Sequence, residues 1–277
     1  MRSVTLPSGE RVPALGIGTW RMGEKRSLRA AELATLRLAI ESGATLVDTA
    51  ELYGEGATET LVGEALAGER EEVFLVTKLH PRNAARKDAV AACERSLLRL
   101  RTDRIDLYLL HWRGQVPFAE TLEAFLGLQQ QGKIRYFGVS NFDTDDMREI
   151  WEQPAARAVA VNQVLYNLAR RGPEVELLPW LGARRVPLMA YSPFDQGALL
   201  ERAELVAFAD RHGLSPAQVA LGWLLSRDDV IAIPKTANRD RLAEDLAAVD
   251  HPLTSAQLRE LDRLFPRPAD PRRLETV

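Results

Sequence analysis

Cysteine is nearly absent from this chain: Cys93 is the only one among 277 residues. One thiol excludes an intramolecular disulfide and any zinc site built from several cysteines, and it favours a reducing compartment. Histidine is scarce too. The four histidines are scattered, without the His-x-His or similar cluster that a metal-dependent barrel hydrolase needs at its strand ends. No metal is expected. Neither sign of charge dominates: 36 basic and 39 acidic side chains leave a net charge of −3. A nucleic-acid binder usually carries a basic excess, so that class is disfavoured. Long apolar runs are missing as well. No stretch approaches the about 18 consecutive apolar residues of a membrane span. The segment Met1-Arg2-Ser3-Val4-Thr5-Leu6-Pro7 has no apolar core of signal-peptide length. A soluble, cytoplasmic protein is the expectation. The third glycine of a dinucleotide fingerprint is absent after both Gly16-Ile17-Gly18 and Gly54-Glu55-Gly56, so neither supports a Rossmann fold.

What is present is an α/β pattern. Apolar residues make up 46% of the chain, enough for a sizeable core, and disorder is disfavoured. Short, β-branched apolar runs alternate with longer segments of helical periodicity. Val90, Cys93, Leu97 and Leu100 fall on one helical stripe, which places Cys93 in the core. Leu33, Leu36 and Ile40 repeat the pattern, as do Leu242, Leu246 and Val249. Ser215 before Pro216 reads as a helix cap, and Thr254 with Gln257 as a capping box. Strands are expected at Leu15–Gly18, Thr45–Val47, Val73–Thr77, Ile105–Leu110, Ile134–Val139, Val159–Asn162, Val186–Ala190 and Val230–Ile233. Eight strand–helix units in a chain of this size predict a (β/α)8 TIM barrel, whose typical length is about 250 residues. Ahead of it, Val4-Thr5-Leu6 and Arg11-Val12 flank Pro7-Ser8-Gly9-Glu10, a β-hairpin pattern suited to closing one end of the barrel. No linker, repeat or low-complexity tract interrupts the sequence, so residues 1–277 are expected to form one domain.

The strand ends carry the functional signal. A barrel builds its active site where the C-terminal ends of its strands meet. Here each apolar run finishes on polar or aromatic groups: Thr19-Trp20, Asp48, Lys78, His111-Trp112, Ser140-Asn141, Gln163, Tyr191 and Lys235. Strands often end in polar loops, so one such residue means little; eight together mean more. Tyr53 follows Asp48 closely in Val47-Asp48-Thr49-Ala50-Glu51-Leu52-Tyr53-Gly54. A free tyrosine ionises near pH 10, too high for an efficient acid at neutral pH. A neighbouring ammonium favours the phenolate and lowers that value. Lys78 can be this cation, and Asp48 can keep a partly buried lysine charged. Tyr53 can then protonate a carbonyl oxygen, with His111 hydrogen-bonded to the same oxygen.

The chain resembles the aldo-keto reductase family along nearly its whole length. The resemblance is carried by Gly18-Thr19-Trp20-Arg21, Asp48-Thr49-Ala50-Glu51-Leu52-Tyr53-Gly54, Val76-Thr77-Lys78 and Asp106-Leu107-Tyr108-Leu109-Leu110-His111-Trp112. It continues through Gly132-Lys133-Ile134-Arg135, Gly138-Val139-Ser140-Asn141-Phe142, Asn162-Gln163, Tyr191-Ser192-Pro193 and Ile233-Pro234-Lys235-Thr236. Within the family it is most similar to bacterial reductases of the methylglyoxal and diketogulonate type. The resemblance implies a (β/α)8 barrel that uses NADPH without a Rossmann domain. It implies transfer of the nicotinamide's 4-pro-R hydride to a small aldehyde or ketone, aromatic aldehydes included. Tyr53 matches the family's acid, Asp48 and Lys78 its tuning pair, and His111 its orienting residue. Ser140, Asn141 and Gln163 match the carboxamide contacts, and Tyr191 the ring that stacks on nicotinamide. Thr19 falls among the cofactor contacts, and Trp20 and Trp112 among the pocket walls. Lys235, Thr236 and Arg241 match the grip on the 2′-phosphate, with Glu244 and Asp245 beside the adenine. The family commonly has Asn at position 245. An acid there adds negative charge near a phosphate and leaves NADH open as a second cofactor. The segments Arg113–Pro117 and Ser192–Leu200 are short beside those of vertebrate members, which points to an open pocket. A monomer is expected. The competing reading is a non-catalytic NADP(H)-binding regulatory protein on the same fold. His80, His212 and His251 receive no role.

Overall fold

Eight parallel strands form a ring in the computed structural model, which describes residues 2–270 and 273–276. A two-stranded hairpin precedes them, with β1 (Ser3–Thr5) antiparallel to β2 (Arg11–Pro13). The ring strands are β3 (Ile17–Gly18), β4 (Leu46–Asp48), β5 (Phe74–Leu79), β6 (Ile105–Leu110), β7 (Ile134–Ser140), β8 (Asn162–Leu165), β9 (Leu188–Tyr191) and β10 (Val230–Ala232). Each pairs with its sequence neighbours. The seam between first and last is closed by a parallel bridge from Leu15 to Ala232. There Ala232 N donates to Ala14 O at 2.8 Å, Gly16 N to Ala232 O at 2.9 Å and Gly18 N to Pro234 O at 2.7 Å. The expected barrel is therefore observed, and closure leaves no open edge in the eight-stranded ring among the described residues.

The sequence explains the layering. Phe74-Leu75-Val76-Thr77-Lys78-Leu79 and Ile105-Asp106-Leu107-Tyr108-Leu109-Leu110 are buried along their whole length. Continuous burial is what a parallel strand covered on both faces requires. The covering helices include α1 (Arg29–Glu41), α2 (Ala57–Ala65), α3 (Arg86–Leu100), α4 (Phe118–Gln130) and α5 (Thr144–Trp151). They continue with α6 (Leu177–Gly182), α7 (Ala203–His212), α8 (Pro216–Leu225), α9 (Arg239–Ala247) and α10 (Ser255–Leu264). Cys93, Leu97 and Leu100 of α3 are buried, as their spacing predicts, and burial raises the Cys93 thiol to about 12. Ser215 and Thr254 each make the reciprocal capping box with the residue three positions on, Gln218 and Gln257.

The hairpin docks at the N-terminal ends of the strands, away from the site. Glu10 takes hydrogen bonds from Arg135 and from the Tyr136 hydroxyl, both at 2.6 Å, near the start of β7. Beside it the buried carboxylate of Asp106 accepts from Arg70, Arg135 and the Leu75 amide. Glu59 ties two helices to the sheet, accepting from Thr77 on β5 at 2.6 Å and from Arg99 on α3 at 2.7 Å.

One strand differs from expectation. The apolar run Val159–Asn162 predicts a strand ending at Asn162, yet β8 begins there. Residues Pro154–Ala158 form a 3-10 turn, and the run crosses into the sheet only at its end. Asn162 and Gln163 read as polar ending signals, but both are buried in the ladder. Asn162 satisfies its amide by donating to Phe142 O at 2.8 Å.

Candidate active site

The C-terminal ends of the strands open into one groove of about 1860 Å³. Small-molecule pockets are commonly about 300–1,000 Å³, so this space holds more than a small carbonyl compound. Thr19, Trp20, Asp48, Tyr53, His111, Trp112, Ser140, Asn141, Gln163, Tyr191, Lys235, Thr236, Arg241, Glu244 and Asp245 all line it. Every residue singled out from the sequence is thus brought to one cleft except Lys78, which lies fully buried beneath the floor.

Lys78 anchors the floor from below. Its ammonium donates to Asp48 Oδ2 at 2.7 Å, to Thr49 O at 2.8 Å and to the Tyr53 hydroxyl at 3.3 Å. Three geometries converge to make this contact. β4 ends at Asp48, β5 carries Lys78 next to its last residue, and the chain after β4 turns tightly through Tyr53–Gly56. That turn uses positive φ at Gly54 and Gly56, conformations that glycine adopts without steric cost. Burial disfavours the charged lysine, but Asp48 and then Tyr53 overcome it, and the Lys78 pKa is raised.

Tyr53 departs from the expected direction. Lys78 does pull its pKa down, but burial is the larger influence and Asp48 adds to it, so the phenol ends above its ordinary value. The sequence identifies the cation without showing how dry the site is. His111 stands across the site, its ring 5.9 Å from that of Tyr53 and nearly perpendicular to it. Burial, then Lys78, then His80 hold the imidazole down at about 2, so it is neutral. Its Nδ1 is buried without a hydrogen-bond partner among the described residues.

The neighbouring wall is tightly cross-linked. Gln163 donates to Asp48 Oδ1 at 2.8 Å and approaches Met189 Sδ at 2.9 Å. Ser140 donates to Gln163 O at 2.9 Å, Asn141 to His111 O at 3.1 Å, and Tyr191 to Asn141 Oδ1 at 2.8 Å. Thr19 is buried and donates to Asp48 O at 2.9 Å. The far end of the groove is different. Lys235 and Arg241 are exposed and have no ion-pair partner among the described residues. Arg241 lies in the first turn of α9, whose cap Asn238 accepts from the Arg241 amide at 3.0 Å. Asp245, one turn further, is buried.

Residues 14–265 match the sequence model of the Aldo/keto reductase family. The chain belongs to this family. Its aldo/keto reductase membership makes it an oxidoreductase of carbonyl compounds. It is 48% identical to methylglyoxal reductase YeaE of Escherichia coli (strain K12), over 96% of this chain and 95% of the relative. It is 33% identical to glyoxal reductase of Bacillus subtilis (strain 168), over 95% of this chain and 92% of the relative. The aldo-keto reductase of Klebsiella pneumoniae crystallised in complex with NADPH superposes with a TM-score of 0.96 at 43% identity. That superposition covers 100% of this chain and 99% of the other.

Two features of this aldo/keto reductase escape the sequence reading. The His80 ring meets Trp112 edge-on at 4.8 Å, and His111 meets the same indole at 4.8 Å, so Trp112 is wedged between two histidines. His80 directly follows β5, a position that could have drawn notice. The C-terminal segment is the other feature: Arg273, Leu274 and Thr276 join the groove wall. Glu275 reaches Arg170 at 2.6 Å, and Arg170 also holds Asp195 at 3.2 Å. No periodicity or motif marks that segment.

Proposed function

We propose that this enzyme reduces small aldehydes and ketones to alcohols with NADPH, using Tyr53 as the proton donor. The single observation that carries the reading is Lys78, whose ammonium touches both the Asp48 carboxylate and the Tyr53 hydroxyl. The residues present suit the cofactor. Neutral amides and hydroxyls of Ser140, Asn141 and Gln163 lie near Tyr53 and His111, fit for a carboxamide. Two cations without an ion-pair partner among the described residues, Lys235 and Arg241, lie at the other end, fit for phosphate. Thr236, Glu244 and Asp245 complete that end, and Thr19 and Tyr191 the central wall. When bound, the cofactor supplies a hydride to the carbonyl carbon.

The chain's own groups do the rest. As the carbonyl oxygen gains negative charge, Tyr53 gives it the hydroxyl proton. Lys78 stabilises the phenolate left behind, and Asp48 keeps Lys78 charged in a dry site. Neutral His111 offers a ring N–H to the same oxygen without adding a second positive charge. Trp20 and Trp112 wall the substrate space. Residues 1–277 act as one domain in this reading. Methylglyoxal and aromatic aldehydes are the substrates to try first, with NADPH favoured over NADH.

The test follows NADPH oxidation with methylglyoxal and a panel of aldehydes. Tyr53→Phe should lower kcat by about 10²–10⁴-fold, the usual contribution of a positioned acid, with NADPH binding retained. Full activity in Tyr53→Phe overturns the acid assignment. Tight NADPH binding without turnover across the panel supports the regulatory alternative instead.

A further inference from the structure

Asp245 stands out at the far end of the groove. Its side chain lines the cleft but is only 3% exposed, and it makes no hydrogen bond or ion pair with any described residue. Residues four apart share a helix face, so its carboxyl lies on the side of α9 that carries Arg241. The charges that act on it are Glu244 and Arg241 of its own helix. Helix α8 packs against α9 and contains no ionisable residue. Helix α1, on the other side, carries Arg29, Glu32, Arg37 and Glu41. Of these, Arg29 is paired with Glu64, and Glu32 accepts from the Gly23 amide. Asp250 follows α9 in the next turn and Glu201 lies on the groove wall. Arg273 also lines the groove, but among the described residues Arg241 is the one cation that acts on Asp245. Burial first, then Glu244, raises its carboxyl to about 7 despite Arg241.

We propose that Asp245 selects between the two nicotinamide nucleotides according to its own protonation. This rests on the reading that the groove holds NADP(H) with the 2′-phosphate at Arg241. A neutral carboxyl is isosteric with an amide and leaves the phosphate's attraction to Arg241 and Lys235 undiminished. An ionised carboxylate on the same helix face opposes that phosphate in a partly dry setting, where charge interactions are strong. A nucleotide with a free 2′-hydroxyl carries no such charge, and a carboxylate can accept a hydrogen bond from it. Preference for the phosphorylated nucleotide therefore falls as pH rises through neutrality.

The experiment measures Kd for NADP+ and NAD+ by quenching of tryptophan fluorescence, from about pH 5.5 to about pH 8.5. Wild type is compared with Asp245→Asn, which cancels titration of the phosphate itself. The two proteins should bind NADP+ alike at the acid end. The variant should bind it about fivefold to tenfold more tightly at the alkaline end, with a smaller or reversed difference for NAD+. Calorimetry of the wild type in buffers of different ionisation enthalpy should show proton uptake on NADP+ binding above neutrality, absent in Asp245→Asn. Parallel pH curves and equal proton uptake overturn the proposal. Arg241→Ala keeps the two readings apart. If it fails to weaken NADP+ relative to NAD+, the assignment of the phosphate to this end is wrong, and the proposal falls with it.

Discussion

Gln163 donates its side-chain amide to one oxygen of Asp48 at 2.8 Å, while Lys78 occupies the other at 2.7 Å. The buried carboxylate is thereby held from both sides. A residue expected only to touch the cofactor also fixes the group that keeps Lys78 charged. Gln163→Leu strips one donor from a buried carboxylate, a loss of about 1.5–3 kcal/mol. The expected result is a fall in kcat of about tenfold or more. Steady-state kinetics separates this from a pure cofactor contact, which would raise the NADPH KM and leave kcat unchanged.

Lys78→Met leaves Asp48 as an uncompensated charge in the barrel floor. Breaking a buried pair in this way costs about 3–5 kcal/mol of stability, read from the urea midpoint, and it should abolish turnover. The double variant Asp48→Asn with Lys78→Met should recover much of the stability and none of the activity. Equal midpoints for the single and double variants would contradict the pairing.

His111 should be silent in the pH–rate profile. With its pKa near 2 it stays neutral at all working pH values. At saturating cofactor, kcat should show no step near the ordinary histidine value of about 6.5. Tyr53 must be protonated to act, and its pKa is raised, so the alkaline limb lies above about pH 10. Stability responds differently. The unfolded chain protonates this histidine below about pH 6.5, where the folded chain does not. Stability should therefore decline as pH falls below that value, by up to about 1.4 kcal/mol per pH unit. Thermal melts across the acid range check this, and His111→Gln should flatten the slope.

Gly138 lies inside β7 where a Cβ would come 2.7 Å from Val161 O and 2.7 Å from Leu109 Cδ2. The backbone oxygen cannot step aside without disturbing the β7–β8 ladder. Gly138→Ala should cost about 1–3 kcal/mol and weaken cofactor binding, because that ladder holds Ser140 against Gln163. An unchanged melting temperature would show that the ladder yields.

Most of the barrel was legible because its strands are buried on both faces. Ile105–Leu110 is recovered to the residue, since an unbroken apolar run bounded by polar turns has one reading. Val159–Asn162 misled because apolar residues also pack where a 3-10 turn enters the sheet. Asp48, Lys78 and His111 were legible as polar groups closing apolar runs. Tyr53 was legible as a residue but not in its pKa, because dryness depends on neighbours from distant segments. The contact of Gln163 with Asp48 joins residues far apart in the chain, and no local pattern encodes it. The wall formed by Arg273, Leu274 and Thr276 was hidden for the same reason.

The seam from Leu15 to Ala232 has a consequence for how the molecule comes into being. Strand β3 leaves the ribosome long before β10, its second neighbour across the seam, has been made. Until then the growing sheet has two open margins, the kind of surface on which strands from other chains can pair. Such distant pairing also slows folding. The oxidoreductase site, which needs a sealed ring to set its strand ends in a circle, is therefore among the last features of the molecule to be born.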